Sequence, residues 1–139
     1  KDMKSIYLSL HEECLYSLNQ MFENEIDIEK SFEERIYLAI SERLAIYSEY
    51  ESLFIATISN AARLPILVDQ VAASYQIMRE RFIKIVPEIK NLSTIKSDLL
   101  FTRFLFPSWF SLRKVLNHDQ KIIIDELSDD LMKYIKDNI

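Results

Sequence analysis

The chain has 139 residues, 49% of them hydrophobic and 28% charged, with a formal net charge of -5, three Pro, one Cys and no Gly. Average chains carry roughly 7% Gly, so its absence removes the P-loop, the G-x-G-x-x-G turn, the G-x-S-x-G elbow, the EF-hand loop and the Asn-Gly hairpin, all of which need a residue without Cβ. Interspersed Lys, Arg, Glu and Asp grip nucleic-acid phosphates poorly, the lone Cys14 has no partner for an intramolecular disulfide, and no charge-free apolar run reaches membrane-spanning length.

A cytoplasmic, reducing setting without a membrane is therefore expected. A single domain over residues 1–139 is also expected, since a chain of this size buries about two-thirds of its unfolded surface. The first residue is Lys1 rather than Met, as expected of a segment from inside a longer protein.

Apolar residues recur at three- and four-residue steps almost throughout, which predicts six helices. The first runs from near Lys1 to about Glu23, with Ile6, Leu10, Cys14, Leu18, Met21 and Phe22 on one face. The second follows Asp27 as N-cap and aligns Phe32, Ile36, Ile40, Leu44 and Tyr47. Ser48 and Glu51 have capping-box spacing for a short third helix ending near Asn60. Pro65 suits the first turn of a fourth, with an inner stripe of Val68, Val71, Tyr75, Met78, Phe82 and Val86 that ends near Pro87. A fifth segment spans Ser93 or Thr94 to Leu116; Pro107 either kinks it or marks a break near Phe106 into two shorter helices. Asp119 caps the last helix, which carries Ile123, Leu127, Leu131 and Ile135. Asn24, Asn60, Asn91, Asn117 and Asn138 fall near the proposed helix ends, where a Gly-free chain would use Asn in the left-handed conformation.

Leu99, Leu100, Phe101, Phe104, Leu105, Phe106, Trp109, Phe110, Leu112, Val115 and Leu116 nearly encircle the fifth segment, and the sixth carries more apolar surface than one neighbour covers. Two such helices from each of two chains would form a four-helix bundle; the alternative is that both are central in a monomer.

The order of segments resembles the C-terminal regulatory domain of the TetR family of transcriptional repressors. Lys1-Asp2-Met3-Lys4-Ser5-Ile6-Tyr7 looks like the start of the connector that follows that family's helix-turn-helix headpiece. Phe32-Glu33-Glu34-Arg35-Ile36 is similar to the opening of its next helix. Glu49-Tyr50-Glu51-Ser52-Leu53-Phe54 falls where a His-Pro-Glu-Leu-like motif often begins a short one, here without the Pro. The resemblance implies an all-α, six-helix, bundle-like domain whose last two helices form a dimeric four-helix bundle. It further implies a homodimer that takes a small, largely apolar effector in a helical cavity, touches DNA only through an N-terminal domain outside this chain, and releases it on effector binding.

Pocket candidates are Phe54, Ile58, Tyr75, Met78, Phe82, Phe101, Phe104 and Trp109, each of which could equally be plain core. Candidates for the dimer interface are Phe106, Phe110, Ile123, Leu127, Leu131 and Ile135. His11 and Cys14 stand one turn apart, but two ligands make no metal site, and the pair has neither an orienting third group nor an oxyanion hole. Cys14 reads as core and His11 as solvated; no cofactor, metal or catalytic residue is expected. The rival readings are a helical protein-interaction or scaffold module without ligand and, in the enzyme class, a small metal-dependent bundle.

Overall fold

The computed structural model describes residues 2–27 and 29–139, and four of its helices begin where short polar side chains take the free amides of a first turn. Asp2 accepts from the Ser5 amide at 2.7 Å and opens α1 (Met3–Met21). Ser31 accepts from the Glu34 amide at 3.1 Å and donates its hydroxyl to the Glu34 carboxylate at 3.0 Å, just ahead of α2 (Phe32–Glu49). Asp27 does not cap this helix: its carboxylate accepts from the Glu29 amide at 3.0 Å in a local turn, an alternative that short acidic side chains offer the backbone. Ser48 lies inside α2, and α3 (Glu51–Asn60) opens at Tyr50 without a side-chain cap.

Pro65 directly precedes α4 (Ile66–Ile85). Pro87 has no amide hydrogen to continue that helix, and a 3₁₀ turn, Pro87–Asn91, follows. Ser93 caps α5 (Thr94–Thr102) and Asp119 caps α7 (Gln120–Asn138), the latter by accepting from the Lys121 amide at 2.8 Å. Between them the expected fifth segment is divided. Residues 103–105 are non-helical, and Pro107 stands in the first turn of α6 (Phe106–Phe110), where its missing amide hydrogen costs nothing. α6 continues into a π turn, Ser111–Val115, closed by the Leu116 amide donating to the Ser111 carbonyl at 2.9 Å.

The chain is all-helical, with no strand among the described residues. Of the five Asn residues near helix ends, Asn117 alone takes the left-handed conformation, with φ 59°. The ends at Phe22, Ala61 and Arg103 tighten in αR geometry, so these joints need neither Gly nor its substitute.

Two compact units make up the chain: Lys1–Glu25 with Ser48–Arg81, and Ile26–Tyr47 with Phe82–Ile139. In the first, Cys14 and Leu18 of α1 are buried with Leu67 and Met78 of α4. Polar links complete its packing. Asn60 donates to the Tyr7 hydroxyl at 2.9 Å, and Arg81 donates to the carbonyls of Phe22 and Asn24 at 3.2 Å each, its guanidinium over the Phe22 ring. The buried stripe of α4 includes Leu67, Ser74, Met78 and Arg81, while Val68 and Val71 are exposed. The expected stripe therefore holds at Met78, Phe82 and Val86 and fails in the first two turns, where Leu67 and Ser74 are buried in place of Val68 and Val71.

The second unit buries Ile36, Ile40 and Leu44 of α2 with Ile85, Val86, Ile89, Leu100 and Phe101, and with Leu131 and Ile135 of α7. Arg35 locks one edge: it donates to both carboxylate oxygens of Glu88 at 2.8 and 2.6 Å, and to the carbonyls of Ile85 and Lys30 at 3.1 Å. The hydrogen bond with Arg35 holds the Glu88 carboxyl below the usual carboxylate range, and the same bond raises the Arg35 guanidinium.

Candidate functional site

The second unit gathers most of its aromatic rings around one buried arginine. Arg43 follows Ile40 by three residues and precedes Tyr47 by four, so helical geometry sets all three on one side of α2. Its guanidinium carbon lies 5.2 Å from the Phe104 ring centroid and 6.0 Å from that of Phe82. Those two rings stack at 5.1 Å, and Phe101 packs edge-on against both at 5.5 and 5.6 Å. Phe106 and Trp109 adjoin through Tyr47, with centroids 5.6 and 5.9 Å from its ring.

Two polar links hold the cluster in register. The Tyr47 hydroxyl donates to the Phe104 carbonyl at 2.7 Å, which pins the non-helical joint before α6 to α2. Trp109 donates its indole hydrogen to the Gln120 side-chain carbonyl at 2.8 Å, tying α6 to the first turn of α7. Buried Tyr and Trp need such partners, and here the chain supplies them.

Four of the pocket candidates, Phe82, Phe101, Phe104 and Trp109, therefore meet around Arg43 and Tyr47. The other four belong to the first unit, where Met78 is buried, Phe54 and Tyr75 are half-buried and Ile58 is exposed. Among the dimer candidates, Phe106, Ile123, Leu131 and Ile135 are covered by the chain's own core, whereas Phe110 and Leu127 are half-buried.

Arg43 was not among the sequence candidates. The available signal was its spacing from Ile40 and Tyr47, which places a charge inside an apolar stripe; a hydropathy template discards that position instead of flagging it.

His11 is buried rather than solvated, because Thr57 of α3 receives it at 2.8 Å. Thr57 spends its own hydroxyl hydrogen on the Leu53 carbonyl at 2.7 Å, so the imidazole donates from Nε2, which leaves Nδ1 as a bare, unpartnered acceptor. Burial pushes the His11 pKa down. Burial, with the nearby Glu49 charge, pushes the Cys14 thiol up to about 11, so it stays a neutral core residue at pH 7 rather than a nucleophile. Among the described residues no group of three or more His, Cys, Asp or Glu is placed to hold a metal ion, and no helix is long and apolar enough to cross a membrane.

Surface grooves stand apart from these clusters. One, about 690 Å³, runs between α2 and α7 and is edged by Glu33, Glu34, Asp125 and Asp129. A second, about 310 Å³, lies in the first unit beside Leu10, Tyr50 and Leu53. A third, about 360 Å³, is bordered by Leu112, His118, Ile122 and Leu127 at the end of the π turn. None of the eight pocket candidates lines any of them.

No family model matches this chain, and neither does any curated protein or solved structure.

Proposed function

We propose that this chain is the regulatory domain of a TetR-like transcriptional repressor, which pairs with a second copy of itself and takes a small, largely apolar effector. The observation that carries the reading is the apolar surface left by the last segments. Ile122, 55% exposed, lines a groove with Leu112 and Leu127, and Val115 and Leu116, a few residues along the chain from Leu112, are 67% and 60% exposed. Single exposed apolar residues are ordinary, but a cluster of them around one groove is the usual mark of an interface. A two-fold axis would lay this patch on its own copy.

The helix order and the -5 charge support the same reading, since a domain that senses and pairs has no need of a phosphate-binding surface. Effector binding would shift α1 and carry the helix-turn-helix headpieces implied by the resemblance out of step with successive major grooves. The mass in solution tests it. Sedimentation equilibrium should give twice the chain mass at micromolar concentration, and Ile122→Glu combined with Val115→Glu should halve that mass with the helical circular dichroism unchanged. A wild-type monomer at high micromolar concentration overturns the proposal.

One observation favours a second reading, an interaction module without ligand: Phe82, Phe101 and Phe104 pack ring against ring and fill their own space. A dimer whose melting temperature ignores every compound in an apolar and aromatic panel would select it.

A further inference from the structure

Arg35, Arg43 and Arg81 all turn inward, and they differ in what receives their charge. Arg35 has the Glu88 carboxylate and Arg81 has two backbone carbonyls. Arg43 is 3% exposed and has neither. Its Nη1 lies 3.4 Å from the Tyr47 hydroxyl, whose own hydrogen is committed to the Phe104 carbonyl, and its Nη2 reaches no acceptor. Among the described residues no carboxylate stands within ion-pair distance of it.

A guanidinium cannot escape such a place by losing its proton, as a buried lysine can. The faces of Phe82 and Phe104 return only part of the lost hydration. What remains is a fixed positive charge with an unused donor, walled by aromatic rings.

On the effector reading above, we propose that Arg43 is the receptor for the effector's anionic group and that the effector is an organic carboxylate with an apolar body. The carboxylate accepts from Nη2 and Nη1, and the body lies on Phe82 and Phe104. One unit of negative charge balances one guanidinium. A phosphate monoester carries about -1.5 to -2 and would bring uncompensated charge among the rings. Phe104 is the wall that has to move: it sits in the joint at residues 103–105, where its carbonyl is held by the Tyr47 hydroxyl at 2.7 Å but its amide makes only a long turn bond of 3.4 Å to the Phe101 carbonyl, so the ring swings about a backbone anchored on one side.

The test compares octanoate and benzoate with octanamide and benzamide by thermal shift and calorimetry on the wild-type chain, with inorganic phosphate as the anion control. The acids should raise the melting temperature and bind at least about tenfold more tightly than the matched amides, as expected for a charge-assisted bond to a buried cation. Arg43→Met should erase that preference, and Arg43→Lys should retain part of it. Should Arg43→Met fail to fold, the wild-type comparison alone decides. Amides binding as well as acids, a preference that survives Arg43→Met, or phosphate reproducing the whole effect overturns the assignment to Arg43 and leaves the effector reading standing. Silence from both acids and amides overturns the effector reading as well, and with it this one.

Discussion

The two units are built from different materials. In the first, buried His11, Thr57, Ser74 and Arg81 stand beside only Cys14, Leu18, Leu67 and Met78, and its helices are joined by aligned hydrogen bonds. In the second, rings and branched aliphatics dominate, and the buried polar residues are Arg43, Ser97 and Ser128. Non-directional burial supplies most of the favourable free energy of folding, whereas a buried hydrogen bond contributes little net and costs much when half of it is removed. The first unit should therefore be sensitive to the loss of single polar atoms, and the second to the loss of volume.

The largest test of that contrast is Phe104→Ala. It removes a ring that packs on Phe82 and Phe101 and leaves a cavity in the second unit. Urea denaturation should show a loss of about 3–5 kcal/mol, and a loss below about 1 kcal/mol would mean that the cluster collapses freely into the gap.

Thr57→Val comes next. It keeps the shape, strands His11 Nε2 without an acceptor, and should cost about 1–3 kcal/mol. The pH dependence of the wild type adds a second handle on the same bond. Because burial lowers the His11 pKa in the folded chain, the unfolded chain binds the proton more readily. The stability tied to neutral His11 is present above about 6.5, the ordinary histidine value, and is lost as pH falls through the depressed value. His11→Leu should flatten that slope, and an unchanged slope would place its origin elsewhere.

Glu88→Gln is the smallest. The pair with Arg35 is partly solvated, with 30% of the Glu88 side chain exposed, so about 1 kcal/mol is expected at neutral pH. The Glu88 pKa is lowered in the folded chain. The difference between wild type and variant should therefore persist above the ordinary carboxylate range and vanish as pH falls through the depressed value. A difference still present at the lowest pH would make the contact one of packing rather than charge.

Helices and their order were legible because apolar residues at helical spacing carry that information locally. Asp119 was legible as a cap for the same reason, since the amide it binds lies two residues on. What escaped depends on partners far along the chain. His11 looks solvated until Thr57, 46 residues on, receives it. Arg81 stands in a charged run, Arg79-Glu80-Arg81, that looks solvent-facing until the carbonyls of Phe22 and Asn24 take its guanidinium. Arg43 escaped for the opposite reason: among the described residues it has the Tyr47 hydroxyl and the Phe82 and Phe104 rings but no carboxylate, and a charge without a countercharge leaves no pattern in the sequence. Pro107 left two readings open, a kink or a break near Phe106, and the structure takes the break: α5 ends at Thr102 and Pro107 stands in the first turn of α6.

The π turn at Ser111–Val115 has an evolutionary side. Such a turn is an α-helix with one residue too many, and each residue advances the helix by about 100°. Val115 and Leu116 therefore owe the direction in which they point to a single extra position between Phe110 and Asn117. Deleting one codon there would keep nearly the same composition and swing those two side chains about a quarter of a turn or more around the axis. Sister proteins separated by that one deletion would present different side chains on this surface while sharing almost every residue.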